Sequence, residues 1–157
     1  MSGRGRWWAA LLVLCCAAPA ACPAQELAPV AMAQCDVLFD NGRRLTAVPL
    51  ADTDAARARG LSRRADVSSG MWFAFEQPQA LRFWMRDTWQ PLSIGFVDEQ
   101  GVLFQIVDMV PMSLAVHQSL RPGVAALELP QGGFAALAVR EGMRVQLHAC
   151  RLPQAPA

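Results

Sequence analysis

Closely spaced turn signals limit this sequence to short strands and short helices. Beyond residue 34 the apolar runs are short, and each closes on a turn. Asp36 to Phe39 meets Asp40-Asn41-Gly42 and resumes at Arg44 to Val48. Met71 to Phe75 and Leu81 to Met85 flank Gln77-Pro78-Gln79, and Leu92 to Val97 and Val102 to Val107 flank Asp98-Glu99-Gln100-Gly101. Val124 to Leu129 and Arg144 to Ala149 are the last such runs. Segments of this length, rich in β-branched and aromatic residues, read as strands, and Asn-Gly between two of them is the strongest local hairpin signal. Only two stretches suit a helix. One runs from an Asp52 or Thr53 cap through Arg59 to Gly60, the other from Phe134 to Val139 after Gly132-Gly133. Long helices do not alternate with strands, which disfavours a doubly wound parallel sheet. The pattern predicts a mainly β (α+β) domain, a compact antiparallel β-barrel or sandwich of about eight short strands with one or two short helices. No repeat recurs at solenoid or propeller spacing.

The N-terminus has a different grammar. Arg4 and Arg6 precede an apolar run from Trp7 to Ala18, and small residues and prolines follow through Ala24. That order is a secretory signal peptide over residues 1–24, since the run falls far short of the roughly 20 residues that cross a bilayer. Cleavage after Ala20 or Ala24 fits the small-residue rule. Ala20-Ala21-Cys22 also resembles a lipobox, in which Cys22 would be acylated, although Pro19 stands where that pattern prefers Leu. Residues 25–34 read as a linker, 35–150 as one domain and 151–157 as a C-terminal tail. The expected location is periplasmic or extracellular, with a lipid anchor as the variant reading, and no transmembrane segment in the mature chain.

Five cysteines divide in a way that agrees with export. Cys15, Cys16 and Cys22 lie in or beside the leader, which leaves Cys35 at the first strand and Cys150 at the last. In an oxidising compartment these two are expected to form a disulfide, worth about 4–5 kcal/mol for a loop of about 100 residues in the chain-entropy view. A redox or metal pair is the alternative, but there is no CxxC.

Composition removes several chemistries. The 157 residues carry a formal charge of +1, 54% hydrophobic and 17% charged residues, so the chain is neither disordered nor a cationic partner for nucleic acid. All 14 basic residues are Arg. Without Lys there is no Schiff base, no covalently held pyridoxal phosphate and no Walker-type P-loop. His117, in a Ser- and Pro-punctuated loop, and His148, on the last strand, lack a HExxH or a Cys cluster, and the serines lack a GxSxG elbow. The scattered methionines read as core filler. No metal and no cofactor are predicted.

Several segments together resemble a known family. They are Arg57-Ala58-Arg59-Gly60-Leu61, Gly70 to Phe75, Phe83-Trp84-Met85-Arg86-Asp87-Thr88, Pro91-Leu92, and Leu127-Glu128-Leu129-Pro130 with Gly132. In order and spacing this is similar to the bacterial and archaeal family called domain of unknown function 192 (DUF192), over roughly residues 36 to 149. Many members have Asp after Pro-Leu, where this chain has Ser93. The resemblance implies a compact β-rich single domain, often exported, with no established activity.

The densest candidate chemistry lies at a strand end. Alternation puts Phe83 and Met85 on one face and Arg82, Trp84 and Arg86 on the other. Two Arg beside a Trp could hold an anionic or sugar-like ligand, through planar guanidinium forks and a stacking surface. The structural alternative packs Trp84 in the core and pairs Arg86 with Asp87 across the turn. Glu128 points away from the face of Leu127 and Leu129, as a solvated position, an Arg partner or an acid in a cleft. Arg57, Arg59, Arg63 and Arg64 read as a solvated helix face favoured by the helix dipole. The candidate ligand-binding residues are therefore Trp84, Arg86, Asp87, Thr88 and Glu128.

The leading expectation is a binding or accessory module of the cell envelope, with a small molecule or an envelope protein as partner. The alternative is a small hydrolase or lyase using a carboxylate pair that includes Asp87 or Glu128. An assembly role through an exposed apolar patch is a third reading.

Overall fold

A computed structural model describes residues 32–152 of the chain. The leader over 1–24 with Cys22, the 25–34 segment as far as residue 31, and residues 153–157 lie outside the described residues. The order is β1 (Gln34–Phe39), β2 (Arg44–Ala51), α1 (Asp54–Arg59), β3 (Met71–Gln79), β4 (Arg82–Phe83), β5 (Leu92–Val97), β6 (Leu103–Met109), β7 (His117–Gln118), β8 (Gly123–Pro130), α2 (Gly133–Ala136) and β9 (Val145–Arg151).

The expected mainly β domain with two short helices is what forms. Seven strands make one sheet in the order β6-β5-β8-β3-β2-β1-β9, and β4 and β7 make a separate two-stranded ribbon. The sheet curls until its edges meet at one end. There Val102 bridges Arg144, and Leu103 N–H and Val145 N–H donate across the seam to Met143 and Gly101. Beyond that point the edges part, and the N–H of Ile106 on β6 donates to a Glu141 carboxylate oxygen at 2.7 Å. The result is a half-barrel.

Turn chemistry accounts for the connections. Gly42 has φ +80° in the β1–β2 hairpin, the left-handed region that the Asn-Gly signal supplies. Thr53 caps α1 by accepting from Ala56 N–H, and the helix ends at Gly60. All pairings in the large sheet are antiparallel except β2 with β3, which run parallel through Leu50↔Trp72 and Ala51↔Phe73. This departs from a purely antiparallel sheet, and its cause is α1. The helix returns the chain to the end of the sheet from which β2 began, as a crossover between parallel strands must.

Both faces of the sheet are buried. Inside the curl, Val37, Phe39, Val48, Trp72, Leu103, Leu127, Leu129 and Phe134 pack together. On the outer face, Met71, Phe73, Leu81, Met85, Leu92, Ile94, Phe96, Met109 and Ala126 form a second cluster with Leu61 and Val67. Two-sided burial explains why β5 is buried along its whole length. The buried Met71, Met85 and Met109 are core filler, as their scatter predicts.

A disulfide joins Cys35 on β1 to Cys150 on β9, 115 residues apart. One residue on, Asp36 is fully buried. It pairs with Arg44 and Arg151 and accepts from Ala47 N–H. Burial pushes its carboxyl up, but the Ala47 amide and the two guanidiniums outweigh it and hold the group below its ordinary range. Among the described residues no helix is long and apolar enough to cross a membrane.

Candidate functional site

The site is built up from the middle of the sheet. On β8, Leu127 and Leu129 face the inside of the curl, so Glu128 must face the outside. Its neighbours across the strands are Met71 on β3 and Ile94 on β5, both fully buried and apolar. Glu128 is only 4% exposed. Nothing among the described residues hydrogen-bonds its carboxyl, and burial alone pushes it up to about 8. The acid is therefore mostly protonated at neutral pH. The chain passes close behind it at Gly70, where φ is +64° and an added Cβ would lie 2.3 Å from the Glu128 carbonyl oxygen.

Above Glu128 the cover is incomplete. The β2–β3 crossover lays α1 over the outer face, yet α1 has no buried residue, so it shields without filling. The space left is a cleft of about 670 Å³. Residues 57–63 form one wall and residues 82–84 and 86–88 another, with Phe73, Phe75 and Glu128 between them. Phe83 stands edge-on to Phe73, ring centroids 4.9 Å apart.

The cleft concentrates positive charge. Arg57, Arg59, Arg63, Arg82 and Arg86 line it, against the carboxyls of Asp87 and the buried Glu128. Two of the five guanidiniums are committed. Arg57 donates to the Ala74 and Asp52 carbonyls, pairs with Asp54, and lies over Phe75. Arg63 pairs with Asp87 at 2.9 Å. Arg59, Arg82 and Arg86 make no ion pair among the described residues, and Arg86 rests 5.3 Å from the Trp84 ring centroid.

The mouth is fastened by strained backbone. Arg63 and Asp87 both have positive φ, at 58° and 54°, and Arg63 N–H also donates to the Asp87 carbonyl at 2.8 Å. Met112, at φ 61°, donates its N–H to the Thr88 carbonyl. Three loops thus meet through left-handed, non-glycine residues, each costing on the order of 1 kcal/mol or more. Such costs persist where the surroundings hold a geometry in place, here the geometry of the cleft wall.

All five sequence candidates line this cleft: Trp84, Arg86, Asp87, Thr88 and Glu128. Their details differ from the structural alternative. Trp84 is 50% exposed instead of packed in the core, and the partner of Asp87 is Arg63, not Arg86. Thr88 is buried and organises the turn, its hydroxyl donating to the Arg86 carbonyl. Glu128 is buried, makes no ion pair among the described residues and lines the cleft.

Sequence reasoning missed the opposite wall. Arg57, Arg59 and Arg63 are not a plain solvated face, because the parallel crossover suspends them over the sheet. A short helix between two strands was the available signal, had those strands been read as parallel neighbours. His117 also differs from expectation. It sits in β7 paired with Phe83, and its Nε2 is buried without a hydrogen-bond partner among the described residues.

A second cavity of about 590 Å³ lies near α2, where the Ser93 hydroxyl donates to Asp108 at 2.5 Å. The Ser93 and Gln131 donors hold the Asp108 carboxyl below its ordinary range. Among the described residues no three His, Cys, Asp or Glu side chains gather as a metal centre requires.

A family model described as "DUF192: Uncharacterized ACR" matches residues 37–147. Two solved structures resemble the chain over most of its length. One is a "putative transcription regulator" from Sinorhizobium meliloti, 32% identical, with a TM-score of 0.70 over 75% of this chain and 96% of that one. The other is a protein of unknown function from Novosphingobium aromaticivorans, 32% identical, with a TM-score of 0.66 over 83% of this chain and 94% of that one. None of the curated proteins matches the chain.

Proposed function

The chain belongs to the DUF192 family, and we propose that it acts as a binding module whose outer-face cleft takes a small organic anion. One observation carries this reading: three arginines that make no ion pair among the described residues, Arg59, Arg82 and Arg86, line one cleft together with the buried Glu128, whose burial pushes its carboxyl up and so favours the neutral form. Guanidinium forks match carboxylate and phosphate geometry, and a partly enclosed site strengthens the attraction relative to open water. The Trp84, Arg86, Asp87 and Thr88 wall is the ligand-contacting surface, and Glu128 its floor. The reading uses no cofactor and no metal.

The setting we propose is the cell envelope. The leader motivates export, and the Cys35–Cys150 disulfide is compatible with an oxidising compartment.

Calorimetric titration with simple carboxylates and phosphate esters at pH 7 tests the reading. Binding is expected to weaken at least ten-fold when Arg82→Gln and Arg86→Gln are combined, with thermal stability unchanged. Equal binding by the double variant, or no anion bound by the parent protein, overturns it.

A second reading rests on Glu128 itself. A carboxylic acid held protonated in a cleft is what a general acid requires, with the ion-paired Asp87 as the companion carboxylate of a hydrolase or lyase. A bell-shaped rate profile that disappears in Glu128→Gln would establish it. No turnover across a panel of envelope substrates would dismiss it.

A further inference from the structure

Resting on the binding reading, we infer that the ligand of the cleft is an acidic sugar: one anionic group joined to a hydroxyl-bearing ring, with the acid at the arginine rim and a hydroxyl on Glu128. The floor provides the first constraint. Glu128 is more than nine-tenths buried, lines the cleft, and stands beside Met71, Ile94 and Ala126, none of which hydrogen-bonds its carboxyl. No group among the described residues hydrogen-bonds that carboxyl, so a ligand that reaches it from the cleft can supply the partner. A hydroxyl suits it best, since it donates to the carbonyl oxygen and accepts from the O–H. A purely apolar ligand would leave the carboxyl as it is.

Charge and size narrow the class further. The rim cations Arg59, Arg82 and Arg86 repel an amine and hold an acid. A volume of about 670 Å³ is in the range of ring-bearing ligands and far exceeds a bare phosphate or acetate. The half-buried Phe83, backed edge-on by the buried Phe73, supplies apolar surface for the C–H face of a sugar ring between the polar rim and the polar floor, and the half-buried Phe75 adds the part of its ring that Arg57 leaves uncovered. Uronic acids and sugar phosphates share this chemistry and differ only in the acid group.

Calorimetry on the purified protein at pH 6.5 decides it, with D-glucuronate, D-glucose 6-phosphate, D-glucose, inorganic phosphate, acetate and 4-hydroxybenzoate as probes. At least one of the two sugar acids is expected to bind ten-fold or more tightly than glucose and than either bare anion, and their order separates carboxylate from phosphate. Glu128→Leu is expected to lose at least ten-fold on the preferred sugar acid, and Glu128→Gln, which keeps a donor and an acceptor there, to retain most of the binding. Bare anions binding as well as the sugar acids, tighter binding of 4-hydroxybenzoate, or an unchanged Glu128→Leu variant overturns the sugar assignment and leaves the anion reading standing. No binding of any anion removes both. Should Glu128→Leu fail to fold, the ranking of probes on the parent protein still decides.

Discussion

At the scale of single residues, Glu128 and Asp87 show how the site trades stability for geometry. The folded-state pKa of Glu128, about 8, lies above its ordinary 4.5, so the native state keeps a proton that the unfolded state releases. Its contribution is therefore complete below about pH 4.5, is lost as pH rises toward 8, and stays lost above that. Denaturant unfolding of the parent and of Glu128→Gln is expected to give curves that diverge across this window. The variant should be more stable at pH 9 by on the order of a few kcal/mol. Parallel curves would show that the acid is not buried as described. Asp87 makes a different test, because its pair with Arg63 is partly exposed and worth at most about 1 kcal/mol. Asp87→Asn keeps a residue type that tolerates positive φ and should cost less than about 1 kcal/mol, whereas Asp87→Val adds backbone strain and should cost clearly more. Equal losses in urea unfolding would mean that the left-handed backbone there carries no strain.

At the scale of elements, the wall behind Glu128 depends on how closely β3 can enter beside β8. Gly70→Ala would place a Cβ against a backbone carbonyl that cannot give way, at a positive φ. It is expected to cost about 3 kcal/mol and to perturb β8, visible as faster amide exchange at Ala126 and Glu128. Slow exchange in a folded Gly70→Ala protein would mean that the loop yields instead. Elements were legible in the sequence where local chemistry decides them. The β1–β2 hairpin follows from Asn41-Gly42, α1 from its Thr53 cap, and β5 from the short, largely apolar segment Leu92 to Val97 bounded by Pro91 and Asp98. They were illegible where a partner decides. The strand expected over Leu81 to Met85 forms only as β4, the two residues that have a partner in β7, and no periodicity announces the two-residue β7. β3 runs on through Pro78, where a turn was expected, because its exposed end bulges away from β8 between Ala74 and Gln79. Proline is tolerated where no ladder bond is needed. The site followed the same rule. Alternation pointed Glu128 away from Leu127 and Leu129, but the cover over it comes from α1, distant in sequence.

At the scale of the whole molecule, the disulfide and the seam of the curl hold the first and last strands in place. Cys35–Cys150 spans nearly all of the described chain, and its loss removes a constraint worth roughly 4–5 kcal/mol in the chain-entropy view. Reduction, or the paired Cys35→Ser and Cys150→Ser variant, is expected to lower the thermal midpoint by about 10 °C or more. A midpoint that does not move would show the β1–β9 ladder and the buried Asp36 cluster to be sufficient alone. The seam has a further consequence. A half-barrel has two open margins, and a margin of unpaired amides invites a strand from another molecule. Here the carboxylate of Glu141 occupies the place of that absent strand, taking the Ile106 amide that a neighbour would otherwise claim. Glu141→Ala is therefore expected to leave the folding of a single chain unchanged and to raise self-association in crowded solution, which light scattering across a concentration series would show.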